Sequence, residues 1–396
     1  MKKIMTGGAV LLISASPLIA GGIERAPQSL SVLFEEGNYA ELSFGGVDPT
    51  VEGTDVGVPP NPFIPSGIPP SSTGDVAQGY GFVGLSYKHQ FNDNISAAII
   101  MEQPFGADIR YPLAPAGSPV LGGTRVEVNS TTFTALARYK FENNFSIHGG
   151  IRASKANGGV TLNGLGYNRI APPYNLEIED EWGMGYVLGA AYEIPEIAGR
   201  VSLTYNSSID HDFEMTETGD VILGATNGLT DTISGRYTVK TPRSWTVEGQ
   251  TGIAQDTLVF GSIRWVKWSE FIVDNAVFPI TPPTGGTVPL VEVEDTTTYT
   301  IGVGRKLTDN WSASLSFVYE PSEGDTVSPL APTNGRKGVT LAGIYTMDNI
   351  KITTGINYTR LGGSDVGIGE TGNKTTVATM EDNHAWGIGV RIGYSF

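Results

Sequence analysis

Apolar and polar side chains alternate along most of this chain. From Trp386 through Ile388, Val390, Ile392, Tyr394 and Phe396, every second residue is apolar or aromatic, and the residues between are Gly, Arg or Ser. A period of two over about a dozen residues predicts a β-strand with one apolar face. Aromatic residues stand at both ends of that face, as in a strand that crosses two lipid–water interfaces. The alternation recurs in Ala40, Leu42 and Phe44, in Val83, Leu85 and Tyr87, and in Phe133, Ala135, Ala137, Tyr139 and Phe141. It returns around Ile147, Met184, Val201, Val259, Tyr299, Ala313, Val339 and Ile350. With the segments 95–101 and 245–251, the pattern predicts roughly 14 strands, an even number of the kind outer-membrane barrels use.

The connections also alternate. Short polar turns such as Asn92-Asp93-Asn94, Glu142-Asn143-Asn144, Thr308-Asp309-Asn310 and Met347-Asp348-Asn349 are rich in the residues that favour tight turns. Between them come long stretches rich in Gly, Pro, Ser and Thr, at 47–78, 113–122, 162–180 and 276–292. Short turns on one side and long loops on the other are the asymmetry of an outer-membrane barrel. A soluble β-sandwich also alternates, but its strands run about 5–6 residues. These run nearer to ten, about the length that crosses a bilayer at a tilt. The expected fold is therefore all-β, a transmembrane antiparallel β-barrel over residues 38–396.

Residues 1–20 begin with Lys2 and Lys3, continue in a short apolar run and end on Ala20. They read as a secretory signal peptide, because the run is far shorter than the ~20 residues a spanning helix needs. Residues 21–37 precede the first expected strand.

Composition narrows the chemistry. The chain has 396 residues, no cysteine, 25 basic and 41 acidic side chains and a net charge of −16. An acidic balance argues against nucleic acid, and the missing cysteines exclude disulfides and thiolate metal sites. The four histidines have no metal-ligand spacing, so neither metal nor cofactor is expected. Gly367-Ile368-Gly369-Glu370-Thr371-Gly372 fits a nucleotide-binding spacing but precedes no helix, which such a site requires. No Ser-centred motif accompanies His89 or His384 on the lipid-facing parity, so an enzyme is not expected.

By parity the inner face carries Glu41, Lys88, Glu102, Arg138, Arg152, Arg200, Glu248, Arg264 and Arg391. Both signs occur there, and opposed charges can pair across the interior and hold it together. One strand breaks the pattern: Ser96 to Met101 alternates and then meets Glu102-Gln103-Pro104-Phe105-Gly106. Proline cannot donate to a ladder, so a kink or a gap in the wall is expected at Gln103, Pro104, Phe105 and Gly106.

These residues carry a resemblance. The chain is similar to the FadL/TodX family of outer-membrane transporters for long-chain fatty acids and aromatic hydrocarbons. Gln103-Pro104-Phe105-Gly106 resembles the family's third-strand kink, Thr241-Pro242-Arg243-Ser244-Trp245 its entry to the eighth strand, and Trp265-Val266-Lys267-Trp268-Ser269-Glu270-Phe271 a strand end. The resemblance implies a monomeric barrel with an N-terminal hatch and passive uptake of a hydrophobic small molecule, which leaves sideways at the third strand. For such a cargo, Arg138, Arg152 and Arg264 are the lumenal candidates to hold a carboxylate, with Phe260 as a further ligand contact. The family's hatch is usually a few dozen residues long with an Asn-Pro-Ala motif; here only residues 21–37 precede the first strand, and the motif is absent. By the resemblance this short segment is expected to fold into the lumen as a plug, with Leu30, Val32, Leu33 and Phe34 touching ligand. The expected surroundings are outer-membrane lipid and lipopolysaccharide. The last strand, ending on Phe396, is the expected contact with the outer-membrane assembly machinery. The competing reading is a general diffusion porin for polar solutes.

Overall fold

A computed structural model describes residues 23–26, 28–167, 169–273, 290–291, 293–322, 324, 326–370 and 373–396. The expected signal peptide and most of the stretch 276–292 lie outside the described residues.

Fourteen strands form the wall. They are β1 (Tyr39–Asp55), β2 (Tyr80–Gln90), β3 (Ile95–Glu102, resumed as Gly106–Arg110), β4 (Arg125–Lys140), β5 (Phe145–Gly164), β6 (Arg169–Ile194) and β7 (Gly199–Asn206 and Ile209–Thr218). Then come β8 (Thr232–Thr241 and Ser244–Ala254), β9 (Thr257–Val266), β10 (Thr296–Lys306), β11 (Trp311–Glu320), β12 (Arg336–Met347), β13 (Ile350–Leu361) and β14 (Asn373–Ser395). Every neighbouring pair is antiparallel. β1 pairs with β2 on one side and with β14 on the other, in a register that sets Tyr39 opposite Ser395 and Thr50 opposite His384. That last pairing closes the barrel, so no strand edge is left for lipid to leave unsatisfied.

The alternation read from the sequence sets which side chains face out. Ile99, Ile151, Ile301 and Leu341 point outward and are 58–62% exposed, while Lys88, Thr132, Thr134, Arg152 and Thr204 on the opposite parity are buried. Two aromatic girdles ring the outer face. At the short-turn end Tyr87 stacks on Phe396 and Trp311 lies on Tyr345; towards the loops Tyr205 lies on Trp245 and Tyr358 on Trp386. Such girdles mark the two lipid interfaces.

One loop expectation is corrected. The stretch 162–180 is mostly strand: β5 runs up to Gly164 and β6 starts at Arg169, the two pairing from Gly164 opposite Arg169 down to Phe145 opposite Tyr192. The reason is local. Tyr174, Leu176 and Ile178 alternate with Asn175 and Glu177 and bury their side chains against Val160 and Leu162, a weak strand signal hidden by the prolines at 172 and 173. The loop expected at 47–78 is likewise shorter than read, because β1 continues to Asp55.

Three wall strands are broken. The breaks in β7 and β8 lie side by side, and the ladder resumes on both sides of them, Thr241 opposite Ile209 and Ser244 opposite Asn206. The break in β3 is one-sided. Towards β4 the pairing resumes at Gly106 opposite Asn129, and the Ser130 hydroxyl donates to the Phe105 carbonyl (2.7 Å) and accepts from the Phe105 amide (3.0 Å). Towards β2 the ladder stops at Leu85 opposite Met101.

Candidate functional site

The interruption in β3 leaves an eyelet in the hydrogen-bond ladder of the wall, a stretch where β2 and β3 are not paired. Below it β2 and β3 are paired as far as Leu85 and Met101. Above it Ala77 bridges Ile109, the Gln78 amide donates to the Asp108 carbonyl (3.0 Å), and the Arg110 amide donates to the Val76 carbonyl (2.8 Å). Between these pairings, residues 79–84 face residues 102–107 without a regular ladder. The Gln103 side chain spans the space, its Oε1 accepting from the Val83 amide at 3.1 Å. A cavity of about 110 Å³ sits at the lower rim, and its walls include outward-facing Phe44, Leu85 and Met101 together with Glu102, Ala26 and Gln28 from within.

The N-terminal segment covers this eyelet on the inside. Glu24 forms an antiparallel bridge with Phe105; the Arg25 amide donates to the Pro104 carbonyl and the Gly106 amide to the Ile23 carbonyl, both at 2.7 Å. Pro104 cannot donate, but its carbonyl serves as the acceptor that ties the segment to the kink. The Arg25 guanidinium lies 4.5 Å above the Tyr80 ring. It also passes directly over Gly106, where an added Cβ would come within 2.5 Å of it. Glycine leaves room there for the guanidinium, which any larger side chain would displace.

Three sequence motifs converge here. Phe105 meets the buried Trp268 ring edge-on at 5.9 Å, and Trp268 meets Phe271 at 6.1 Å. Arg243 holds Glu270 through Nε (2.9 Å) and Nη2, and the Lys267 amide donates to the Arg243 carbonyl (3.0 Å). Burial alone would raise the Glu270 carboxyl; Arg243 and Lys267 outweigh it and hold the group below its usual value. Above this layer Ile109, Tyr111, Leu121, Leu176 and Val366 form a continuous apolar cluster under the loops.

The candidate lumen residues separate by height. Arg152 and Arg264 face the kink level. Arg264 donates to Glu24 (Nη2–Oε1 2.5 Å, Nε–Oε2 3.2 Å) and to the Thr246 hydroxyl (Nη1, 2.9 Å). Arg152 is buried with its Nη2 lacking a hydrogen-bond partner among the described residues, and Glu102 lies within electrostatic reach of both arginines. Phe260 is buried on the inner face of β9, its ring over Gly302. Arg138 belongs to a different group near the short turns. It pairs with Glu193, donates to the Leu33 carbonyl (3.3 Å) and lies 4.7 Å over the Phe34 ring, which Arg200 covers at 4.1 Å. Leu30, Val32 and Leu33 are buried against Ala98, Ile100, Leu136 and Val187 of the inner wall. Lys351 and Lys88 fasten the end of this segment through the Glu35 carboxylate and carbonyl.

Glu24 and Trp268 were not among the candidates drawn from the sequence. Glu24 contacts Arg264 across 240 positions, which no local pattern signals. Trp268 did lie within a motif, but as a strand end rather than as the partner of Phe105.

Comparison with known proteins gives this geometry a context. The model of the outer membrane protein transport protein family (OMPP1/FadL/TodX) matches residues 26–396. The chain belongs to that family. It resides in the bacterial outer membrane. The long-chain fatty acid transport protein of Escherichia coli strain K12 is 25% identical over 252 residues, which cover 60% of this chain and 53% of that relative; the chain thus spans about half the length of the curated relatives it matches. A FadL homologue of Pseudomonas aeruginosa has the same fold, with a TM-score of 0.72 at 16% identity and 95% and 96% of the two chains covered. The Pseudomonas putida toluene transporter TodX gives 0.60 at 12% identity, with 96% of each chain covered.

Proposed function

We propose that this family member carries hydrophobic small molecules, long-chain fatty acids foremost, passively across the outer membrane, and that they leave sideways into lipid through the eyelet beside Pro104. The one-sided break of β3 carries this reading: a closed barrel needs every ladder bond in lipid, and this one gives up several at a single point and covers the space with a separate segment. The names of the Escherichia coli and Pseudomonas putida relatives support the cargo class.

The physics fits. Each CH₂ moved from water into an apolar site contributes roughly 0.8 kcal/mol, which the cluster under the loops supplies. A carboxylate buried without a partner costs several kcal/mol, and Arg152, with one guanidinium nitrogen unused, answers that need, with Arg264 beside it. Residues 28–37, whose Leu30, Val32 and Leu33 are buried against the inner wall near the short turns, act as a plug against straight passage to the periplasm, which opposes the porin reading. No energy source is required when movement follows a gradient.

The test is uptake of a labelled fatty acid by cells carrying the double variant Pro104→Ala, Gly106→Val at equal surface levels. Loss of uptake is expected; unchanged uptake defeats the sideways exit.

A further inference from the structure

We propose that the Glu24 carboxylate is a built-in competitor for the anionic head of the cargo: it occupies Arg264 until a ligand carboxylate replaces it, so the barrel selects carboxylates over neutral hydrocarbons. This deepens the function proposed above and rests on it.

Arg264 is almost fully buried and all three of its guanidinium nitrogens are engaged, two by Glu24 and one by Thr246. The fork that would grip a ligand carboxylate is therefore already filled by a carboxylate of the chain itself. Around it the charges balance: Glu24, Glu102, Glu248 and Glu320 stand among Arg152, Arg264, Arg200 and Arg336. A second anion entering this buried group meets no net attraction while Glu24 stays. Once Glu24 leaves, the remaining charge is positive and the fork is vacant. Arg152, whose buried Nη2 has no hydrogen-bond partner among the described residues, offers the incoming head group a first foothold next to Glu102 before the exchange.

The exchange bears on the eyelet because Glu24 is also the residue that bridges Phe105, between the two 2.7 Å backbone bonds to Pro104 and Gly106. Its ion pair is one side-chain anchor of the segment covering the gap, alongside the Arg25 guanidinium on the Tyr80 ring. A ligand that takes Arg264 releases that anchor. A hydrocarbon without a charge has nothing to exchange.

The experiment compares oleate with methyl oleate, which has the same acyl chain without the charge, by calorimetric titration of the purified full-length protein in detergent. Glu24→Gln is expected to raise oleate affinity about tenfold and to leave methyl oleate within about twofold. Adding Arg264→Gln is expected to abolish the gain. A spin label at Ala26→Cys, clean because the chain has no other cysteine, is expected to become mobile with oleate and stay fixed with the ester. If Glu24→Gln fails to fold, as judged by heat-modifiable gel mobility, Glu24→Asp is measured in its place and should show the same preference in weaker form. Oleate affinity unchanged or reduced in the folded variant, or an equal response to acid and ester, overturns the proposal alone. A wild-type protein that binds neither compound overturns it together with the transport reading.

Discussion

At the residue scale, the most consequential groups repair backbone defects. Ser130 is a small hydroxyl on β4, yet it satisfies both the amide and the carbonyl of Phe105 where the ladder fails. Removing one partner of a buried polar group costs about 1–3 kcal/mol. Ser130→Ala should therefore lower unfolding stability in urea by about that amount, with Ser130→Thr close to wild type. Trp268, 1% exposed between Phe105 and Phe271, has no such chemistry but fills the layer beneath the kink. Trp268→Ala should cost about 3–5 kcal/mol in the same titration. None of these pairings was legible in the sequence, since Ser130 is one hydroxyl among many in a polar strand. Parity did place Arg138, Arg152 and Arg264 on one face. It could not tell their heights, because height depends on how each strand is staggered against the next.

At the scale of elements, the third strand and the N-terminal segment work as one unit. The sequence announced the break through Pro104 and Gly106, because proline removes a donor wherever it stands. What fills the break was hidden: residues 23–26 have no alternation, and their pairing with Pro104 and Gly106 spans some eighty positions of chain. Gly106→Val places methyl groups where the Arg25 guanidinium now lies 2.5 Å from an added Cβ. The segment should then lift from the strand, and a cysteine at Ala26 should react with a water-soluble maleimide roughly tenfold faster than in the parent, a shift of about 1.4 kcal/mol in the covering equilibrium. An unchanged rate would mean that Arg25 moves aside while the backbone bonds hold. The hairpin of β5 and β6 teaches a different lesson, since prolines at its tip masked strands whose partners supply the stability.

At the scale of the whole molecule, the barrel was the most legible feature, because a wall between lipid and lumen imposes period two on every strand at once. The contents of the barrel obey no period. Leu30, Val32 and Leu33 are buried against the inner wall, while Phe34 lies between two guanidinium groups. Deleting residues 23–37 should convert a nearly silent protein into one with large, steady conductance in planar lipid membranes. A deletion protein that folds and stays silent would show that other residues block the passage.

The pairing of β1 with β14 has a further consequence, for biogenesis. The seam joins the first strand of the wall to the last, Tyr39 to Ser395. Residues 23–26 and 28–35 lie inside the wall so closed. A sealed cylinder admits chain only through its mouths, so this stretch either lies within the curling sheet before the seam zips shut or threads in afterwards through the short-turn mouth. Its backbone bonds to Pro104 and Gly106 on β3 let it be laid down with that strand, ahead of the seam.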